Sequence, residues 1–291
     1  MKKKKLVAGL GGTALMLSVV IGFSVVKASE DYVAVPSQGV REALLGDEYS
    51  GYRSVMTSEE IANFEEFNSL PKDVFSREQQ NEQNEMQVVN GDSSSLEGLQ
   101  HASNLDYLDY EGSLLDATPI SKLSNLKTLK LNLTDKSVVP SLDFLEELES
   151  LQSFELHQYQ GIGGIVPSDL SALETFENPD KKFEALVSVD GTLASQVRLS
   201  RNNPNHAMYL PVKLPRQMET GEQSIVVHDQ EFGYEEMDAE GEPTGKLIWE
   251  NIPEETEYLH ISVWIETPDE MRDHFFVKFW GQMKIPIVWQ D

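Results

Sequence analysis

The chain has 291 residues, 40% of them apolar, and its 49 acidic residues against 23 basic ones give a formal net charge of −26. That length and apolar content suit one large or two modest folded domains. The charge disfavours nucleic acid and anionic lipid surfaces as partners, because both would repel the protein. The absence of cysteine excludes disulfides, zinc–thiolate sites and thiol catalysis.

Residues 1–28 have the form of a secretory signal peptide. Lysines fill positions 2 to 5, an uncharged apolar run extends from Leu6 to Val26, and Ala28 precedes a polar segment. This order predicts cleavage after Ala28 and a secreted, extracellular product. The chain stops at Asp291 without a wall-sorting motif, which also indicates release. The alternative is an uncleaved anchor that holds the protein on the cell surface, because the run is just long enough to span a bilayer.

Residues 29–95 are predicted to form a helical cap. Thr57 and Glu60 have the spacing of a capping box at the start of a helix. A helical unit here would shield the open end of a repeat stack from water. The polar stretch 76–95 is expected to be a mobile loop, with a brief strand from Met86 to Val89.

A leucine pattern organises residues 96–180. The spacing L-x-x-L-x-L occurs three times, at intervals of 21 and then 25 residues, which is typical of leucine-rich repeats. A weaker fourth unit is suggested by Leu170, Leu173 and Phe176. Each unit predicts one short strand that becomes stable only by stacking on its neighbours. The members of the three units are Leu105, Leu108 and Tyr110; Leu126, Leu129 and Leu131; and Leu151, Phe154 and Leu156.

Residues 183–291 change to the period-two alternation of strands. Leu259, Ile261, Val263 and Ile265 alternate with other residue types, and a second alternating run begins at Phe275. Further strand candidates are Lys246 to Trp249 and Ser224 to His228. Several short strands separated by turns predict an all-β, immunoglobulin-like sandwich.

Several of these stretches match a known pattern. Asp116-Ala117-Thr118-Pro119 is similar to the D-I-S-P that closes a repeat, and ISKLSNLKTLKL follows from Ile120. Upstream, MTSEEI begins at Met56, and downstream FWGQMKIPI runs from Phe279 to Ile287. Together these stretches resemble the internalins, secreted and surface proteins of Gram-positive bacteria. The resemblance implies a capped repeat stack, a following immunoglobulin-like module and a protein ligand, with a host protein as one candidate.

The sequence departs from the family at the asparagine that bonds adjacent turns. Those positions hold Ser113, Thr134 and Tyr159. Serine and threonine hydroxyls can partly replace that bonding, whereas tyrosine does not suit it.

The repeat, cap and strand patterns together give the predicted fold class. It is an α/β leucine-rich repeat solenoid with a helical N-terminal cap, followed by the all-β immunoglobulin-like sandwich.

The sequence contains no recognisable catalytic motif. The motifs HExxH, GxSxG and GxGxxG and the phosphate loop are absent, and the six histidines are scattered. The acidic tract from Asp229 to Glu242 has carboxylates that calcium prefers, but it lacks EF-hand spacing and also suits an exposed hairpin loop. We therefore predict a protein that is not an enzyme, with no metal site and no cofactor. A polysaccharide-acting enzyme is the alternative from another class.

A binding role rests on the residues between the repeat leucines. Successive side chains of a strand point to opposite faces, so these residues should form an outward, concave face. Tyr107 is its best anchor. Trp264, further along the chain, is either an exposed aromatic candidate or part of the core. The other interpretation is that opposite charges on neighbouring strands only stabilise the sheet. The predicted ligand-binding residues are Asp106, Tyr107, Asp109, Glu111, Lys127, Thr128, Lys130, Asn132, Gln152, Ser153, Glu155 and His157.

These residues predict a module that binds a protein ligand. The alternative is a structural or adhesion protein of the cell envelope, held by its N-terminal apolar segment. The sequence does not predict an oligomeric state.

Overall fold

The computed structural model describes residues 32–35, 40, 55–62, 66–67, 78–80, 86–88, 96–134, 136–158 and 164–291. The predicted signal peptide lies outside these ranges. The described strands are β1 (Tyr32–Ala34), β2 (Val55–Thr57), β3 (Glu66–Phe67), β4 (Glu78–Gln80), β5 (Met86–Val88), β6 (Tyr107–Gly112), β7 (Thr128–Leu133), β8 (Ser153–Gln158), β9 (Ile165–Val166), β10 (Phe183–Leu193), β11 (Val197–Ser200), β12 (His206–Tyr209), β13 (Gln223–Val227), β14 (Gly233–Met237), β15 (Pro243–Trp249), β16 (Tyr258–Glu266) and β17 (Phe275–Gln290). The helix α1 spans Ser58–Ala62.

The predicted repeats form three parallel strands in register. Strands β6, β7 and β8 pair so that Leu108, Leu129 and Phe154 lie side by side. These side chains are buried, and so are their neighbours two residues further along each strand. The leucine pattern therefore predicted the strands and their inward face correctly.

The segments that return from one repeat strand to the next contain 3₁₀ turns. These turns span Leu99–His101, Ile120–Lys122, Asp143–Leu145 and Ser171–Phe176. The motif at Asp116 contributes an Asx turn, because Asp116 Oδ1 accepts a hydrogen bond from the Thr118 amide at 2.8 Å. The predicted α/β class is wrong: strand is the main secondary structure of the described residues, and their α-helix α1 has five residues.

Hydroxyl groups bond the turns that follow the repeat strands. Ser113 Oγ and Thr134 Oγ1 lie 2.7 Å apart, and Ser137 Oγ accepts a hydrogen bond from the Leu114 amide at 3.0 Å. The buried Tyr110 hydroxyl donates to the Ser113 carbonyl at 2.7 Å. The hydroxyls of Ser113 and Thr134 thus join neighbouring turns by bonding each other, whereas the expected asparagine would bond backbone, and Tyr159 lies outside the described residues.

The N-terminal segment pairs as strands where a helical cap was predicted. Strand β1 pairs antiparallel with β2, and α1 follows β2 directly. The prediction of a helical cap is wrong for the described residues, because tyrosine and valine in β1 and β2 favour strand pairing. Val35 is buried against Gly98, which has φ +103° and where a Cβ would lie 2.7 Å from Val35 Cγ1. The brief strand expected near Met86 is present as β5, paired with β4.

The repeat sheet continues into the C-terminal strands without a break. Strand β10 pairs in parallel with β8 on one side and with β17 on the other. Strand β16 pairs antiparallel with β17, and β13 with β16. The main path of this sheet is therefore β13-β16-β17-β10-β8-β7-β6-β3. The suggested fourth repeat leads into β10, since the rings of Phe176 and Phe183 stack with centroids 4.5 Å apart.

A second sheet of three antiparallel strands, β12-β15-β14, covers part of the C-terminal core. Trp249 of β15 is fully buried, and Val227 of β13 belongs to the same core. The strands predicted in this part of the chain are all present, but β10, β16 and β17 belong to the repeat sheet. This arrangement does not show the immunoglobulin-like identity expected for residues 183–291. The domain boundaries stay a prediction.

Candidate ligand-binding face

The outward residues of the repeat strands form aligned rows across the sheet. Tyr107, Thr128 and Ser153 occupy one row of register partners, and all three are half-buried. The next rows are Asp109, Lys130 and Glu155, and then Glu111, Asn132 and His157. The structure thus brings nine of the twelve predicted residues together on one face, which we call the repeat face. Whether it binds a ligand stays a prediction.

The other three predicted residues lie before the strands begin. Asp106, Lys127 and Gln152 each precede the first residue of a repeat strand. The Lys127 ammonium lies 2.9 Å from an Asp106 carboxylate oxygen. The amides of Lys127 and Gln152 bond the carbonyls of Asp106 and Lys127, at 2.8 and 2.9 Å. These residues therefore join successive repeats and lie outside the outward rows.

An ion pair lies at the centre of the repeat face. Lys130 Nζ is 3.0 Å from Glu155 Oε1, and both side chains are about one-third exposed. The hydrogen bond to Glu155 raises the pKa of Lys130 although burial acts against it, and Glu155, Tyr107 and Asp109 add favourable charge interactions. Asn132 Nδ2 donates to Asp109 Oδ1 at 3.3 Å. These contacts agree with the interpretation that opposite charges stabilise the sheet, which stays a prediction and does not conflict with ligand binding.

The solvent-facing side of the sheet extends well beyond the repeats. Leu186 and Ser188 of β10 are register partners of Glu155 and His157. On the far side of β10 these two residues face Lys278 and Trp280 of β17. The repeat face is therefore continuous with the same face of the C-terminal strands.

The C-terminal half of this face was only partly predicted. Trp264 is half-buried on β16 and lies directly opposite Trp280 of β17. Sequence reasoning missed Trp280, Phe276 and Leu186. The alternating pattern of the sequence could have identified Trp280 and Phe276, since both alternate with the buried residues of β17. Their position beside the repeats carried no local signal, because it depends on the parallel pairing of β10 with β8 and β17.

The acidic tract forms the hairpin of β14 and β15. Asp238 Oδ1 accepts hydrogen bonds from the amides of Glu240 and Glu242, both at 2.9 Å. Asp229 bonds the His260 amide at 2.8 Å, and Glu236 lies 3.0 Å from Lys246 Nζ. Within the described residues, no group of three or more His, Asp or Glu side chains is placed to hold a metal ion.

No helix in the described ranges is long and apolar enough to cross a membrane. The apolar run from Leu6 to Val26, on which the anchor alternative depends, lies outside those ranges.

The parallel, in-register strands with 3₁₀ returns have the architecture of a leucine-rich repeat stack. No family model matches the chain, and no curated protein is similar to it. Two solved structures from Listeria monocytogenes are similar in part. One is the functional domain of InlJ, described as including a cysteine ladder, at 15% identity and a TM-score of 0.33 over 65% of this chain. The other is InlP, at 10% identity and a TM-score of 0.27 over 65% of this chain. The chain spans 40% of the first and 55% of the second.

Proposed function

We propose that this chain is a secreted, non-enzymatic module that binds a protein ligand through the repeat face. The observation that carries the proposal is the alignment of β6, β7 and β8, which sets nine half-buried polar and aromatic side chains in three rows on one face of the sheet. Tyr107 gives this face a large contact area at a small entropic cost. The resemblance to internalins makes a host protein the first ligand to test.

A pull-down tests the proposal. The purified protein, immobilised, is exposed to extracts of host cells and of bacteria, and captured proteins are compared with those bound by Tyr107→Ala and Lys130→Glu. We expect both variants to lose a partner that the wild type retains. Tyr209→Ala is the matched control, because Tyr209 is 69% exposed on the three-stranded sheet, away from the repeat face. Equal capture by the wild type and both variants would place the site elsewhere.

Fractionation of a producing culture tests the proposed location. Release predicts protein in the medium with Ser29 as its first residue. Full-length protein in the membrane fraction would instead favour the envelope-associated alternative. Hydrolysis of a glycan panel by the purified protein would contradict the non-enzymatic part of the proposal.

A further inference from the structure

The three-stranded sheet has an outward side that the proposed role of the repeat face leaves unused. Leu247 and Trp249 of β15 are fully buried. Because successive side chains of a strand point to opposite faces, the residues that alternate with them point away from the core. These outward residues and their register partners on β12 and β14, which we call the outer face, are Ala207, Tyr209, Tyr234, Lys246 and Ile248.

Two exposed tyrosines lie on either side of β15 in the outer face. Tyr209 of β12 keeps 69% of its surface exposed and Tyr234 of β14 keeps 46%. Ile248 and Ala207 lie in one row with Tyr234, so that aliphatic surface adjoins the rings. Tyrosine is enriched at protein interfaces because it joins a large apolar ring to a polar tip. The fold itself gains little from these rings while they remain exposed.

The basic group of the outer face is already paired within the protein. Lys246 Nζ lies 3.0 Å from Glu236 Oε1. The hydrogen bond to Glu236 raises the pKa of Lys246, and charge interactions with Tyr209 and Tyr234 act in the same direction. Both phenol groups therefore lie near one ammonium whose charge Glu236 balances.

Carboxylates border the outer face at both ends of β14 and β15. Within the described residues, the charged partners of this segment are Lys246 for Glu236 and His260 for Asp229. Most of its carboxylates thus have no opposite charge beside them. Residues 229–250 contain Lys246 as their one basic residue and eight acidic residues, Asp229, Glu231, Glu235, Glu236, Asp238, Glu240, Glu242 and Glu250.

This distribution of charge selects the kind of partner that fits the outer face. A second copy of the chain would place two acidic segments side by side, and nucleic acid or anionic lipid would be repelled as well. A neutral glycan could stack on a tyrosine ring but would leave the surrounding carboxylates unopposed. The partner that complements both features has apolar side chains in its middle and positive charges around them.

We propose that the outer face binds a basic polypeptide segment that carries apolar side chains between its lysines and arginines. The apolar side chains of this partner cover Tyr209, Tyr234 and Ile248. Its cationic groups lie over the faces of the phenol rings and beside the carboxylates of residues 229–250. The outer face is separate from the repeat face, so the chain has a second binding surface with its own specificity.

Titration of the purified full chain with labelled peptides tests the proposal by fluorescence anisotropy. The probe is a synthetic amphipathic peptide of lysine, leucine and alanine. Its comparators are the same peptide with glutamate in place of lysine, hexalysine, and a chitosan hexamer as a cationic glycan. We expect saturable binding of the lysine peptide that weakens as salt is raised, and weaker binding of all three comparators.

Two pairs of substitutions locate the binding surface. Tyr209→Ser combined with Tyr234→Ser should weaken the binding of the lysine peptide by about tenfold or more, whereas Tyr107→Ala on the repeat face should leave it unchanged. Glu240→Gln combined with Glu242→Gln should also weaken it. The matched control, Glu146→Gln with Glu149→Gln, removes the same amount of charge from exposed positions after β7 and should have less effect.

Four results would overturn the proposal. They are the absence of saturable binding, binding of hexalysine or of the chitosan hexamer as tight as that of the lysine peptide, unchanged binding in the double tyrosine variant, and equal loss in the two glutamate pairs. The last result would mean that only the overall charge matters. The repeat-face proposal is tested separately, because Tyr107→Ala and Lys130→Glu leave the outer face intact and a repeat-face partner should still bind Tyr209→Ala.

Discussion

His206 of β12 and Trp249 of β15 are register partners with ring centroids 6.3 Å apart. His206 Nε2 and Trp249 Nε1 are both buried and have no hydrogen-bond partner among the described residues. Burial lowers the pKa of His206, because the charged imidazolium loses its hydration there. At the residue scale, we therefore expect this pair to make the three-stranded sheet sensitive to acid.

The expected pH dependence follows from the direction of that shift. A histidine whose folded pKa lies below its unfolded value of about 6.5 contributes stability above that pH and loses it as the pH falls. The urea midpoint of the wild type should therefore fall between about pH 7.5 and about pH 5, and it should fall less in His206→Phe. The matched control is His101→Phe, since His101 is exposed. An equal loss of midpoint in the wild type and in His206→Phe would contradict this account.

At the scale of elements, the row Asp109, Lys130 and Glu155 joins β6, β7 and β8 through side chains as well as backbone. Lys130→Glu would remove the ion pair with Glu155 and place three carboxylates in adjacent strands. We expect the free energy of unfolding to fall by about 0.5–1 kcal/mol, as is typical of cross-strand charge pairs that are partly exposed. Urea denaturation measures this loss of stability. The loss should be smaller at high salt, because salt screens the charges.

The charge-swapped double variant Lys130→Glu with Glu155→Lys is the control for that prediction. It restores an attractive pair and should recover much of the lost stability, while it keeps the altered pattern of charge on the surface. The same variant separates stability from recognition in the pull-down. A double variant no more stable than Lys130→Glu would show that the ion pair does not contribute to the sheet.

At the scale of the whole molecule, the pairing of β10 with β8 and β17 makes the repeats and the C-terminal strands one sheet. All four tryptophans, at positions 249, 264, 280 and 289, lie after the repeats. Tryptophan fluorescence therefore reports only on the C-terminal part, whereas circular dichroism reports on the whole chain. The two signals together can test whether the shared sheet makes unfolding cooperative.

Leu129→Ala makes that test. Leu129 is fully buried in β7, and its truncation should cost about 2–5 kcal/mol. Because the sheet is continuous, we expect the fluorescence midpoint and the circular dichroism midpoint to fall together in urea. Leu115→Ala is the matched control, since Leu115 is 53% exposed. A fluorescence transition that stays in place while the dichroism transition moves would show that the two parts unfold separately.

Much of this architecture was predictable from local pattern. The spacing of Leu105, Leu108 and Tyr110, repeated twice, predicted three strands and their buried side, because stacking of repeats depends only on contacts between neighbours. Period-two alternation likewise predicted β16, since Leu259 to Ile265 alternate between core and solvent. The nine residues of the repeat face followed from the same alternation.

The prediction of a helical cap was wrong because helical spacing in a short segment is weak evidence for a helix. Thr57 and Glu60 have the spacing of a capping box, but the preceding valine-containing segment pairs with β1 and the helix after it has five residues. Helices shorter than about 12 residues depend on packing for their stability. Tertiary pairing therefore overrode the local pattern.

The sequence by itself determined the composition, the repeat strands and the direction in which their side chains point, because each depends on residues close together in the chain. Only the tertiary structure decided that β10 lies between β8 and β17 and that Trp280 joins the face begun by Tyr107. Phe183 of β10 pairs with Phe275 of β17, 92 residues further along the chain, and parallel pairing at such a distance leaves no periodic trace in the sequence.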